Sequence, residues 1–106
     1  MRYEYNKLVR DKIPENINAI EGRSCSYKIL NSEEYLKELN RKVIEEANEF
    51  IEENSIEELA DLMEVINHVM EIKKISFKDV EMEMKKKADK KGAFKEKIYL
   101  EYVDED

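Results

Sequence analysis

The stretch Glu45–Asp61, EEANEFIEENSIEELAD, constrains what this chain can fold into more than any other. It carries two acidic pairs at helical spacing, Glu46-x-x-Glu49 and Glu58-x-x-Asp61, separated by a break at Glu53-Asn54-Ser55. Apolar residues recur with helical period on both sides of that break. Consider the segment folded as an antiparallel helical hairpin about the midpoint between residues 53 and 54. Glu49 then faces Glu58, each about four and a half residues from the midpoint, and Glu46 faces Asp61, each about seven and a half away. Four carboxylates meet on one edge of a helix pair. Such a cluster is costly unless something positive sits in it, and a hard divalent cation with oxygen ligands is the simplest filler.

Spacing alone does not single these residues out. Random placement of 26 acids in 106 residues gives roughly six acidic pairs at i, i+3, and the chain has five. The mirror arrangement about a turn, and the position of each pair on its helix, carry the signal. At about 100° per residue, Leu36, Leu39, Val43, Ala47 and Phe50 fall within about 80° of one another. Glu46 lies about 20° beyond that stripe and Glu49 about 80°. On the second helix Leu59, Leu62, Met63, Ile66 and Met70 form the stripe, with Glu58 just outside it and Asp61 farther round. The first acid of each pair therefore borders the core, where desolvation is felt. The competing reading is two solvated faces on an acidic helical protein.

A length of 106 residues suits one domain, 1–106, with one core. Charged and hydrophobic residues each make up 42%, with two glycines and one proline, a profile of well-solvated helices whose apolar residues are periodic rather than diluted. No apolar run approaches membrane-spanning length, and the N-terminus has no apolar signal core, so the expected home is cytoplasmic. Cys25 is alone, which excludes a disulfide framework and a cysteine metal site. The net charge of −7 is unevenly spread: residues 31–64 hold 12 acids against 3 bases, and residues 73–97 hold 10 bases against 5 acids. Overall acidity argues against nucleic-acid binding. An acidic stripe with a basic segment elsewhere suits a metal plus a small polyanion.

Along the chain, residues 1–14 form an arm ending at Pro14, which fits the first turn of a helix over 14–21, stopped by Gly22. Residues 25–30 read as a short extended segment. Asn31 or Ser32 caps the first long helix, with Glu34 in capping-box position, and that helix runs to about Glu53. Ser55 caps the second, about Ile56 to Lys73, with Glu58 in its capping-box position, a competing explanation for Glu58. His68 and Asn67 read as surface residues of this helix. Ser76, with Asp79 three residues on, begins a third helix that carries Phe77, Val80 and Met84 inward and ends in a lysine run before Gly92. The alternating segment around Ile98, Leu100 and Tyr102 reads as a short strand or extended tail packing on the helices, able to pair with 25–30. Residues 104–106 read as a frayed acidic end.

With these motifs placed, the sequence resembles the MazG-like all-α nucleoside triphosphate pyrophosphohydrolases, and within them the small single-domain branch related to phosphoribosyl-ATP pyrophosphohydrolase. The superfamily's EExxE and EExxD read here as Glu45-Glu46-Ala47-Asn48-Glu49 and Glu57-Glu58-Leu59-Ala60-Asp61. The branch resemblance extends over YNKLVRDKIPE, VIEEANEF, EELADLMEVI and KKGAFKEKIYL, nearly the whole chain.

The resemblance implies that Glu46, Glu49, Glu58 and Asp61 are both metal ligands and catalytic residues, binding Mg²⁺ or Mn²⁺. It implies hydrolysis of the α–β phosphoanhydride of a nucleotide to monophosphate and pyrophosphate, with Glu49 the candidate to hold the attacking water. Lys7, Arg10, Lys12, Lys87, Lys90 and Lys91 are the candidates to bind phosphates. The substrate is a small-molecule nucleoside triphosphate, with phosphoribosyl-ATP of histidine synthesis as the alternative. A non-catalytic helical interaction module is the reading of another class. The expected architecture is all-α, a helical hairpin with additional short helices. A hairpin cannot cover its own apolar face, so a bundle should form on assembly into a homodimer or larger homo-oligomer.

Overall fold

Local capping chemistry sets where each helix begins and ends. In the computed structural model, which describes residues 1–105, the chain forms four helices and no strand among those residues: α1 (Ile13–Glu21), α2 (Ser32–Glu53), α3 (Ile56–Lys73) and α4 (Phe77–Lys91). The fold is all-α. No helix among the described residues is long and apolar enough to cross a membrane. The chain divides into two compact units, Met1–Lys73 and Lys74–Asp106.

In the first unit Pro14 sits in the first turn of α1, where its missing N–H costs nothing. Gly22 ends the helix in the left-handed conformation at φ 65°, its N–H donating to the carbonyl of Asn18. Asn31 caps α2 with a complete capping box. Its side chain accepts from the Glu34 N–H at 2.8 Å, and the Glu34 carboxylate accepts from the Asn31 N–H at 3.4 Å.

The connection from α2 to α3 is two residues long. Asn54 takes the left-handed conformation at φ 53°, a position that asparagine tolerates better than most residues, and its N–H donates to the Phe50 carbonyl at 2.8 Å. Ser55 then accepts the Glu58 backbone N–H on its Oγ at 3.1 Å. So short a turn folds α3 back antiparallel on α2, and these are the two helices that pack together.

The core of this pair is thin. Leu39 is buried, and Leu36, Val43, Ala47 and Phe50 on α2, with Leu62, Ile66 and Met70 on α3, are half-buried, along the stripes expected from their spacing. Leu59 and Met63 are more exposed than that pattern implies. On α3, Asn67 is exposed. His68 is half-exposed and bracketed by two carboxylates of its own helix, Glu64 at 2.7 Å from Nε2 and Glu71 at 2.8 Å from Nδ1.

In the second unit Ser76 caps α4 by accepting the Asp79 N–H at 3.1 Å, and Gly92 closes it with an N–H bond to the Ala88 carbonyl. Two expectations fail here. Phe77 and Met84 do not point inward but are exposed, and only Val80 is half-buried, because apolar periodicity sets the face of a helix without supplying a partner to bury it. Residues 98–103 form neither a strand nor a packed tail: Ile98, Tyr99, Leu100 and Tyr102 are exposed on both sides of the alternation, and 25–30 likewise joins no ladder. Alternation alone does not make a strand without a partner edge. Of the acidic end, Asp104 and Glu105 are exposed and Asp106 lies outside the described residues.

Candidate functional site

The two-residue turn brings the end of α2 against the start of α3, and with it three acids. One carboxylate oxygen from each of Glu46, Glu58 and Asp61 lies within 4.8 Å of the others. Glu46 faces the partner helix and is only 8% exposed, the one buried charged residue among those described. Glu58 occupies the first turn of α3, and Asp61 follows one turn on, more open at 39% side-chain exposure.

Burial makes this group costly. Oε2 of Glu46 and Oε2 of Glu58 are both cut off from solvent without a hydrogen-bond partner, a condition that normally carries a penalty. Burial pushes the Glu46 carboxyl above its usual range. The Glu49 charge adds to that shift, Lys42 partly offsets it, and Asp61 and Glu45 add further. The Glu58 carboxyl is raised as well, first by desolvation and then by the Glu49 charge. The close approach of the Glu49 carboxylate adds to this, as do Asp61 and Glu53. Glu49 thus stands beside Glu58, next to the three converging acids rather than within their close group.

Two cations touch the cluster. Lys42, one turn before Glu46 on the same helix, places Nζ 3.8 Å from Glu46 Oε1 and 3.4 Å from Glu45 Oε1. Arg10, from the N-terminal arm, donates from Nη2 to Asp61 Oδ1 at 2.6 Å. Lys42 is shared between Glu45 and Glu46 and Arg10 pairs with Asp61, so the two cations offset only part of the negative charge gathered here. The donors are all carboxylate oxygens, the set that suits Mg²⁺, Mn²⁺ or Ca²⁺ and not a soft metal. With two buried oxygens lacking any donor, these residues fit a hard divalent cation.

Of the six phosphate-binding candidates, Arg10 reaches the acids. Lys7 and Lys12 are exposed on the same arm, and Lys87, Lys90 and Lys91 are exposed on α4 in the second unit. The reading from sequence overlooked Lys42, although its i, i+4 spacing to Glu46 was a usable signal. It also gave no reason to pair Arg10 with Asp61, 51 residues away, and no local pattern could have done so. No protein-family model, no curated protein and no solved structure matches this chain.

Proposed function

We propose that the protein is a divalent-cation-dependent nucleotide pyrophosphohydrolase that splits the α–β phosphoanhydride of a nucleoside triphosphate. The observation that carries this reading is the convergence of Glu46, Glu58 and Asp61 with two buried, donorless carboxylate oxygens. The EExxE and EExxD motifs that supply these acids support it from the sequence side.

Glu46, Glu58 and Asp61 would hold Mg²⁺ or Mn²⁺, with Glu49 contributing from beside Glu58. Bound there, the ion supplies polarisation of the phosphoryl oxygens and neutralises charge on the pyrophosphate leaving group. Glu49 orients a water and takes its proton as the water oxygen bonds to the α-phosphorus and the bond to the bridging oxygen breaks. Glu46, the most buried acid, would hold the ion from the side shielded from water, where its attraction for the ion is least screened. Arg10, Lys7 and Lys12 on the arm bind phosphate oxygens, Arg10 with the fork geometry that suits them.

The test is a panel of nucleoside triphosphates and phosphoribosyl-ATP in millimolar Mg²⁺, read as phosphate release with and without added inorganic pyrophosphatase. Phosphate should appear only with the coupling enzyme. Phosphate at full rate without it would place the cleavage at another bond, and no turnover of any compound would remove the reading.

A further inference from the structure

The two cations at the acidic cluster are held in different ways. Lys42 is built in: its side chain is 15% exposed, it lies on the same helix as Glu46, and it also contacts Glu45. Arg10 comes from a segment without regular structure, its side chain is 59% exposed, and it makes one side-chain contact, to Asp61. Its backbone is nevertheless anchored, because its carbonyl accepts the Ile13 N–H at 3.1 Å where α1 begins. The guanidinium can therefore swing while its root stays beside the cluster. Asp61 is more open than Glu46, at 39% against 11% side-chain exposure, so Arg10 stands on an open side of the cluster.

We propose that Arg10 is an exchangeable counter-ion, paired with Asp61 until a cation and a phosphate ligand arrive together, and then transferred to a phosphate oxygen. This rests on the reading of the cluster as a cation site. A guanidinium and a divalent cation draw on the same carboxylate, so Arg10 opposes binding of the cation alone. A phosphate gives the guanidinium a second anionic partner with the geometry its fork favours. Arg10 therefore favours the cation and phosphate together while disfavouring the cation by itself, a coupling between two ligands carried by one side chain. Lys42, fixed inside the helix pair, has no such freedom.

The consequence is a pair of effects of opposite sign. In Arg10→Ala, Mn²⁺ alone should bind about threefold to tenfold more tightly than to the native protein, in keeping with the loss of one partly exposed competing ion pair. Inorganic pyrophosphate, titrated at saturating Mn²⁺, should bind about tenfold more weakly, as expected when a charge-assisted phosphate contact is removed. Arg23→Ala is the control, since Arg23 pairs with Glu21 and lies over Tyr3, and its loss removes the same charge without touching Asp61. Both affinities are read by calorimetry on the full chain. If Arg10→Ala matches Arg23→Ala in either titration, or weakens Mn²⁺ binding, the exchange is overturned while the cation site stands. If the native protein binds no Mn²⁺, or Glu46→Gln binds it equally well, the site itself falls and the proposed activity with it.

Discussion

Two helix starts in this chain share one local design and differ in what becomes of their acid. Ser55-x-x-Glu58 opens α3 and Ser76-x-x-Asp79 opens α4, and in both the serine Oγ takes the N–H of the third residue at 3.1 Å. Both acids stand in the first turn, where the helix dipole favours negative charge. Glu58 nevertheless turns one oxygen into a buried, donorless position among Glu46 and Asp61, whereas Asp79 is exposed. The difference is the neighbour. α2 packs on α3 and brings Glu46 and Glu49 to the helix start, whereas Asp79 belongs to no such group of acids among the described residues. A cap accounts for the backbone at both places and for the carboxylate at only one.

The most direct way to break this contrast is substitution of both acids. Glu58→Gln should lower nucleotide-dependent pyrophosphate release by about 10²-fold or more, the scale for losing one group that stabilises developing charge. Asp79→Asn should stay within about twofold of native, as for an exposed surface substitution. Equal losses in the two variants would mean that Glu58 acts only as a capping residue.

A smaller effect should appear in stability against pH, measured as thermal melts in chelator. Glu46 and Glu58 both have folded-state pKa values raised above the ordinary glutamate value of 4.5. Each binds its proton more tightly in the folded chain, so its stabilising contribution is full below that ordinary value and is lost as pH rises through the raised one. The native protein should therefore lose melting temperature more steeply than Glu58→Gln as pH rises from the ordinary glutamate value. Parallel curves for native and Glu58→Gln would show that folding does not desolvate this carboxylate.

The smallest expected effect concerns the other end of α4. If Lys87, Lys90 and Lys91 bind substrate phosphates, single alanine substitutions should raise KM about threefold and leave kcat within about twofold. An unchanged KM in all three would leave them as a solvated, dipole-compensating last turn of α4.

The parts of the molecule readable from sequence are those decided within a few residues. Asn31 with Glu34, Ser55, Pro14 and Gly22 each mark a boundary through a single hydrogen bond or backbone constraint, and α1, α2 and α3 begin and end where those residues indicate. The antiparallel return of α3 followed from the break at Glu53-Asn54-Ser55 together with helical periodicity on either side, which placed Glu46 near Asp61. Symmetry about the turn paired Glu49 with Glu58, and the two do interact, but it could not tell that Glu46 would lie deepest. That depth depends on how α2 rolls against α3, which is set by packing. Phe77 and Met84 show the opposite limit, since a periodic apolar face specifies a helix without specifying what covers it. Arg10 shows a third: the end of an arm without regular structure is placed by long-range attraction, which leaves no periodic trace.

The turn at Asn54 and Ser55 has a consequence for how such a chain could drift. Both of its residues are already committed, one to a left-handed backbone and the other to capping the next helix. None is left to absorb a change. A β-branched residue at position 54 would meet the steric penalty of positive φ and shift α3 relative to α2. The distance from Glu46 to Glu58 would change with every carboxylate still present. The convergence of the acids is therefore heritable at positions that bear no charge, and it can be lost by a neutral substitution in a loop before any acid is replaced.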